Sequence, residues 1–242
     1  MDNTIFEKRL SIIKILQTSW GMYKNNFLLI SLFTFIAYFP INLILFSKTT
    51  PSLFEEPAQY YKHFQFNAAL ELILGIITTI AIAFVVKSII EKQSLSFGTI
   101  LKKTATKWPA VVGTKILMNL WVGLYFLLII PGIMFMIYWL FAIYAVIFKK
   151  IYFKEAMDYS KNIVRGRWGI VFLYSIIFTG LYILSAGIFG ALFSITDIYF
   201  IDNLFITALS DTCVNILLSF YSVVFVIFFI NFDKTKKEKI SG

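Results

Sequence analysis

Six polar side chains fall within or beside the long apolar runs of this sequence, and they are where chemistry inside a lipid environment would have to occur. Lys115 and Asn119 are one helical turn apart in one run. Glu71 stands at the start of another, Asp211 and Asn215 are one turn apart in the last, and Asn42 follows Pro40 in the first. Ionisable groups are costly in hydrocarbon, so such positions mark ion pathways, proton relays or buried polar contacts. Glu71 and Asp211 would serve as an acid/base pair acting on a lipid only if the fold brought them to one depth. The simpler reading is that both are wetted residues at the membrane boundary.

The remaining inventory is poor in catalytic groups. Cys213 and His63 are the single cysteine and the single histidine. An intramolecular disulfide is therefore impossible, a His/Cys metal centre is not expected, and no cofactor is implied. A phosphate-binding loop, a His-Glu-x-x-His helix and a Gly-x-Ser-x-Gly elbow are all missing from the sequence. The expectation is a protein that is not an enzyme.

These polar positions need elements to hold them, and composition names the elements. Of 242 residues, 59% are hydrophobic and 14% charged, well below the charged share of roughly 25% in soluble domains. Apolar stretches run over 27–46, 68–90, 111–148, 169–193 and 204–232. The third is too long for one crossing: its length as a helix is about 57 Å at 1.5 Å per residue, against a hydrocarbon core of about 30 Å. Pro131-Gly132 divides it, which predicts six spans near 27–46, 68–90, 110–130, 133–149, 169–193 and 207–231, with the tight turn at Pro131-Gly132. Residues 1–25 mix charges with apolar residues and do not read as a cleavable signal. The whole chain, 1–242, reads as a single integral membrane domain.

Basic residues give the orientation. Lys8, Arg9, Lys14 and Lys24 precede the first span. Lys87, Lys92, Lys102, Lys103 and Lys107 surround the second loop, and Lys149, Lys150, Lys154, Lys161, Arg165 and Arg167 fill the fourth. Lys234, Lys236, Lys237 and Lys239 form the tail, so 19 of the 22 Lys and Arg fall on one side. By the positive-inside rule both termini are cytoplasmic, and Lys115 should snorkel near the cytoplasmic end of the third span. The net charge of +9 is then explained by topology, and nucleic acid is not expected as a partner. The opposite side carries Glu55, Glu56, Glu71, Asp197, Asp202 and Asp211 against Lys48 and Lys62.

A threefold pattern follows. The segment before each odd-numbered span has helical amphipathic periodicity. Phe6, Leu10, Ile13 and Trp20 form the first stripe; Phe97, Ile100, Leu101, Thr104, Ala105 and Trp108 the second; Phe153, Ala156, Met157, Ser160, Ile163, Val164 and Trp168 the third. The predicted fold class is all-α: a polytopic membrane bundle of three transmembrane hairpins, each entered through a cytoplasmic amphipathic helix. Such basic helices anchor a bundle at the interface, or present lysines to anionic headgroups or to a protein partner. Lys102, Lys103, Lys107, Lys154, Lys161, Arg165 and Arg167 are the candidate face. Gly187 and Ala191 have the small-xxx-small spacing of close helix packing.

The stretch from Ile129 to Trp168 carries Pro131, Gly132, Ile133, then Glu155, Ala156, Ser160, Gly166, Arg167 and Trp168. In this outline the chain resembles a widespread bacterial superfamily of six-span integral membrane proteins, which includes the membrane domain of glycerophosphoryl diester phosphodiesterase. The resemblance implies a bacterial cell-membrane protein and no catalytic residue, because the phosphodiesterase chemistry belongs to a separate soluble domain. On physical grounds Pro131 suits a helix start, Glu155 the first turn of a helix, and Gly166 a helix end. The function expected is a non-catalytic component that handles lipids or other amphiphiles, is associated with transport, or acts in immunity. Its partners would be membrane lipids and a membrane protein such as a transporter component. The alternatives are a transporter or channel using Lys115, Glu71 and Asp211, and an intramembrane lipid enzyme.

Overall fold

Serine caps start two of the three amphipathic helices. Ser11 Oγ accepts from the backbone N–H of Lys14 at 3.3 Å, and Ser96 Oγ from that of Thr99 at 3.3 Å, which satisfies donors that an isolated helix start leaves unpaired. In the computed structural model, which describes residues 8–46, 56–93, 95–199 and 203–241, these serines open α1 (Ile12–Asn25) and α5 (Phe97–Phe126). The others are α2 (Phe27–Phe46), α3 (Pro57–Leu70), α4 (Ile76–Ile90), α6 (Ile130–Tyr138), α7 (Ala142–Phe148), α8 (Phe153–Val164), α9 (Trp168–Tyr199), α10 (Leu204–Leu218) and α11 (Phe220–Ser241). A π-helical turn, Glu71–Gly75, joins α3 to α4. Phe6, Lys48, Glu55 and Asp202 lie outside the described residues, as do the side chains of Asp197, Lys237 and Lys239.

Six helical rods are long and apolar enough to cross a membrane: Phe27–Leu45, Pro57–Ile90, Phe97–Phe126, Ile130–Phe148, Trp168–Phe193 and Leu204–Lys236. They pair into three hairpins, giving an all-α bundle. The two arms of a hairpin differ in environment. The most apolar window is 56%, 50% and 44% buried in the second arms, but 33%, 11% and 6% in the first arms. The second arms therefore form the centre. Ile80 to Val86 of α4, Phe141 to Val146 around α7, and Val223 to Phe232 of α11 supply the core. Phe141 packs edge-on to Phe228 at 5.0 Å, and Tyr144 stacks on Phe229 at 5.6 Å. The first arms turn Leu28, Leu120, Leu124, Ile183, Leu184 and Leu192 outward, as lipid-facing helices do.

The amphipathic segments sheathe this core. Each packs antiparallel along the basic-end half of a second arm. At α1, Leu10 N–H donates to Asn231 Oδ1 at 3.0 Å, and the Trp20 ring meets Phe220 at 5.8 Å. In α5, Lys103 lies over the Phe84 ring and Trp108 reaches Ile73. In α8, Ser160 touches Tyr138 and Phe141. The apolar stripes predicted for α5 and α8 are buried at Ile100, Thr104, Ala156, Met157, Ser160, Ile163 and Val164, whereas Leu101, Ala105 and Phe153 of the same stripes are exposed. Of the stripe predicted for the first segment Leu10 is buried but Ile13 and Trp20 are exposed, and α1 turns Ile15, Met22 and Tyr23 to the core instead. Much of the apolar character of the second arms is thus matched to protein rather than to lipid.

Four further expectations need correction. The second amphipathic segment is not a separate helix but the first third of α5, with Pro109 marking the junction. The turn of the middle hairpin falls at 127–129, and Pro131 and Gly132 sit in the first turn of α6. The glycine is needed there, because a Cβ at 132 would approach Phe126 Cα to 2.8 Å. The fourth span is broken between Tyr138 and Ala142. Gly187 is exposed and nothing approaches its Cβ position within 4 Å, so the small-residue spacing on α9 does not serve close packing within the chain. Other expectations hold. Pro131 begins α6, Glu155 is the acid of the first turn of α8, and Gly166 at φ +78° closes α8 in a left-handed conformation.

Candidate functional site

The second arm of every hairpin is interrupted. The π turn Glu71–Gly75 interrupts the first, residues 139–141 the second, and Ser219 the third. Interruptions free backbone carbonyls, and an aromatic side chain bonds a carbonyl at or near each one. Trp108 Nε1 donates to Ile73 O at 2.6 Å, and Tyr23 Oη to Ile216 O at 2.8 Å. Trp168 Nε1 donates to Met134 O at 3.3 Å, about a turn before the second break. At that break itself Ser160 makes two bonds: its Oγ accepts from Phe141 N–H at 3.0 Å and donates to Tyr138 O at 2.7 Å. Ser160 is fully buried.

The first interruption carries the candidate site. π turns occur preferentially at functional positions, and this one begins with Glu71. Tyr38 Oη donates to Glu71 Oε2 at 3.1 Å. Gly75 makes room for the carboxylate, since a Cβ there would lie 2.4 Å from Glu71 Oε2. Lys115 of α5 and Tyr182 of α9 both couple electrostatically to Glu71. Tyr38 is thus in hydrogen-bond contact with Glu71, while Lys115 on α5 and Tyr182 on α9 stand farther off, within range of its charge. The sequence reading placed Glu71 at the outer end and Lys115 at the basic end of their spans; the fold brings them to one locality.

The other candidates divide. Asn42, one turn beyond Tyr38 on α2, donates from Nδ2 to Thr212 Oγ1 at 3.0 Å and is buried. This places Asp211 and Asn215, both half-buried on α10, beside the same stretch of α2. Asn119 is exposed on the outer face of α5, whereas Lys115 is half-buried. Among the described residues no three His, Cys, Asp or Glu side chains gather where they could hold a metal ion.

The basic face is partly consumed by the fold. Lys107 Nζ donates to Val146 O at 3.0 Å. Arg167 donates to Thr235 Oγ1, Ile163 O and Phe232 O, each at 2.8 Å, and lies over the Phe232 ring. Lys161 sits over the Phe135 ring. Lys102, Lys103, Lys154, Lys161 and Arg165 are exposed. A second polar centre was not legible in advance. Asp233 accepts from Tyr159 Oη and pairs with Lys149 Nζ at 2.8 Å, while Asn231 clasps Lys8 O and Leu10 N–H. The cue was present: Asn231 and Asp233 interrupt the end of the last apolar run just before the basic tail.

No protein-family model, curated protein or solved structure matches the chain. The fold itself defines the class: a multi-pass α-helical membrane protein with a protein-sheathed core at its basic end.

Proposed function

We propose that this chain is a non-catalytic component of the bacterial cell membrane, with both termini cytoplasmic, that handles lipids or other amphiphiles on behalf of a membrane partner. One observation carries the reading. The amphipathic segments at the start of α5 and along α8 bury Ile100, Thr104, Ala156, Met157, Ile163 and Val164 against the core and leave Lys102, Lys103, Lys154, Lys161 and Arg165 exposed on one end of the molecule. Exposed lysines next to an apolar bundle attract anionic headgroups, each contributing about 1 kcal/mol near such a surface. The similarity in outline of 129–168 to six-span bacterial membrane proteins supports the same placement. Transport-associated and immunity-type roles both fit a bundle of this kind. Copurification from native membrane tests the reading. Lipid and partner proteins should be retained by the wild type, and retention should fall in the triple variant Lys102→Glu, Lys154→Glu, Lys161→Glu. Equal retention in both would remove the basic face from the argument.

A transporter reading has its own support, the Tyr38–Glu71 pair at a helix interruption with Lys115 within range of its charge, since discontinuous helices build substrate sites in secondary transporters. Flux of protons or small cations in proteoliposomes, lost in Glu71→Gln and in Lys115→Met, would favour it. Flux that is absent, or unchanged in both variants, would exclude these residues from a transport path.

A further inference from the structure

A groove of about 540 Å³ opens on the side of the bundle where α1, α2, α9, α10 and α11 meet. That size is within the range of small-molecule sites, roughly 300–1,000 Å³. Its walls are aromatic: Trp20, Tyr23 and Phe27 from the first unit, Phe189 from α9, and Phe220 with Tyr221 from α11. The hydroxyls in these walls are already engaged within the protein. Tyr23 Oη is spent on Ile216 O at 2.8 Å, and Ser185 Oγ and Tyr221 Oη bond each other at 2.8 Å. What the groove offers is therefore ring surface, aliphatic carbon and the indole N–H of Trp20. Among the described residues a single charged one lines it, Lys24, on the last turn of α1. Lys24 is exposed, and no described carboxylate lines the groove with it.

The rim of the groove is apolar. Phe27 is 45% and Trp20 55% exposed at the rim, and Leu28, Ile188 and Leu192 turn outward beside it. Tryptophan and a snorkelling lysine are the residues that sit at a headgroup boundary. An occupant must then have an apolar tail for the aromatic walls and a negative head for Lys24.

We infer that this groove is a binding site for one anionic membrane phospholipid, its acyl chain held between Trp20, Phe27, Phe189 and Phe220 and its phosphate at Lys24. The site rests on the amphiphile-handling reading above and assigns it a location and a head-group charge.

Photo-crosslinking in nanodiscs of equal phosphatidylglycerol and phosphatidylcholine tests it. Benzoylphenylalanine replaces Phe189 inside the groove, or Ile188 on the neighbouring lipid-facing surface. Position 189 should capture phosphatidylglycerol over phosphatidylcholine about five-fold more selectively than position 188, the factor that ~1 kcal/mol for one lysine represents. Lys24→Gln should abolish that selectivity, Lys24→Arg should keep it, and Ser185→Trp, which fills the groove, should remove capture at 189. Benzoylphenylalanine at Leu217, another lining position, gives the same readout if the 189 variant does not fold. Equal lipid ratios at the groove and control positions, or selectivity that survives Lys24→Gln, would overturn the site. That failure, alongside lipid retention that still depends on Lys102, Lys154 and Lys161, would sink the groove and leave the broader reading standing.

Discussion

Ser160 shows how much one small side chain holds. It bonds both a carbonyl and an N–H at the break between α6 and α7, and it does so from a fully buried position. Leaving a buried backbone group unpaired costs about 1–3 kcal/mol. Ser160→Ala is therefore expected to lower stability by an amount in that range, read as a shift of the denaturation midpoint in detergent. Asn162→Ala, at an exposed position on the same helix, should be close to neutral and serves as the control. Tyr159 allows a pH prediction. Burial first, then its bond to Asp233, pushes its phenol up to about 12 from an ordinary value of 10.0. The folded state thus favours the protonated phenol. Its contribution is fully present below pH 10 and is lost as pH rises through about 12. The stability difference between wild type and Tyr159→Phe should hold constant to about pH 10 and shrink above it. A difference that grows with pH would contradict the assignment.

At the scale of elements, the interrupted second arms explain themselves through their partners. A helix that loses backbone bonds inside an apolar bundle needs replacements, and Trp108, Ser160 and Tyr23 supply them. The amphipathic segments are for this reason less membrane anchors than struts along the second arms. The middle hairpin depends on close approach as well. Gly132→Ala would drive a Cβ onto the Phe126 backbone, and overpacking of this kind costs about 1–3 kcal/mol. At Gly113 the obstacle is the Phe153 ring, on an exposed side chain that can move. Gly132→Ala should thus lower the melting temperature clearly and Gly113→Ala less; the reverse order in a thermal-shift assay would show that the 127–129 turn adapts.

For the whole molecule, the decisive asymmetry is between lipid-facing first arms and protein-facing second arms. It predicts sidedness as well as burial. In a Cys213→Ser background, impermeant maleimide should label Lys102→Cys and Lys154→Cys from one side of sealed vesicles, and Asn203→Cys, at the exposed start of α10, from the other. Labelling of all three from one side would refute the bundle's placement across the membrane. The Tyr38–Glu71 bond also belongs to this scale, because it joins α2 to the π turn of the second arm.

Apolar run length, the excess of charge on one side and helical periodicity are local properties, and they were sufficient for the all-α class, the six rods, the hairpin within 111–148 and the roles of Pro131, Glu155 and Gly166. The stripe from Ala156 to Val164 likewise announced its buried face. What covers an apolar face is not local, because hydropathy scores a residue alike whether lipid or protein surrounds it. Only the tertiary structure could show that Ile80 to Val86 are wrapped by protein while Leu120 and Leu124 are left exposed on the outside of the bundle. The same holds for polar partners. Glu71 and Lys115 lie in different apolar runs, and Ser160 and Asp233 gain their meaning from carbonyls, phenols and ammonium groups that arrive from other helices. Pairing across such distances is decided by packing geometry, which composition and spacing do not encode.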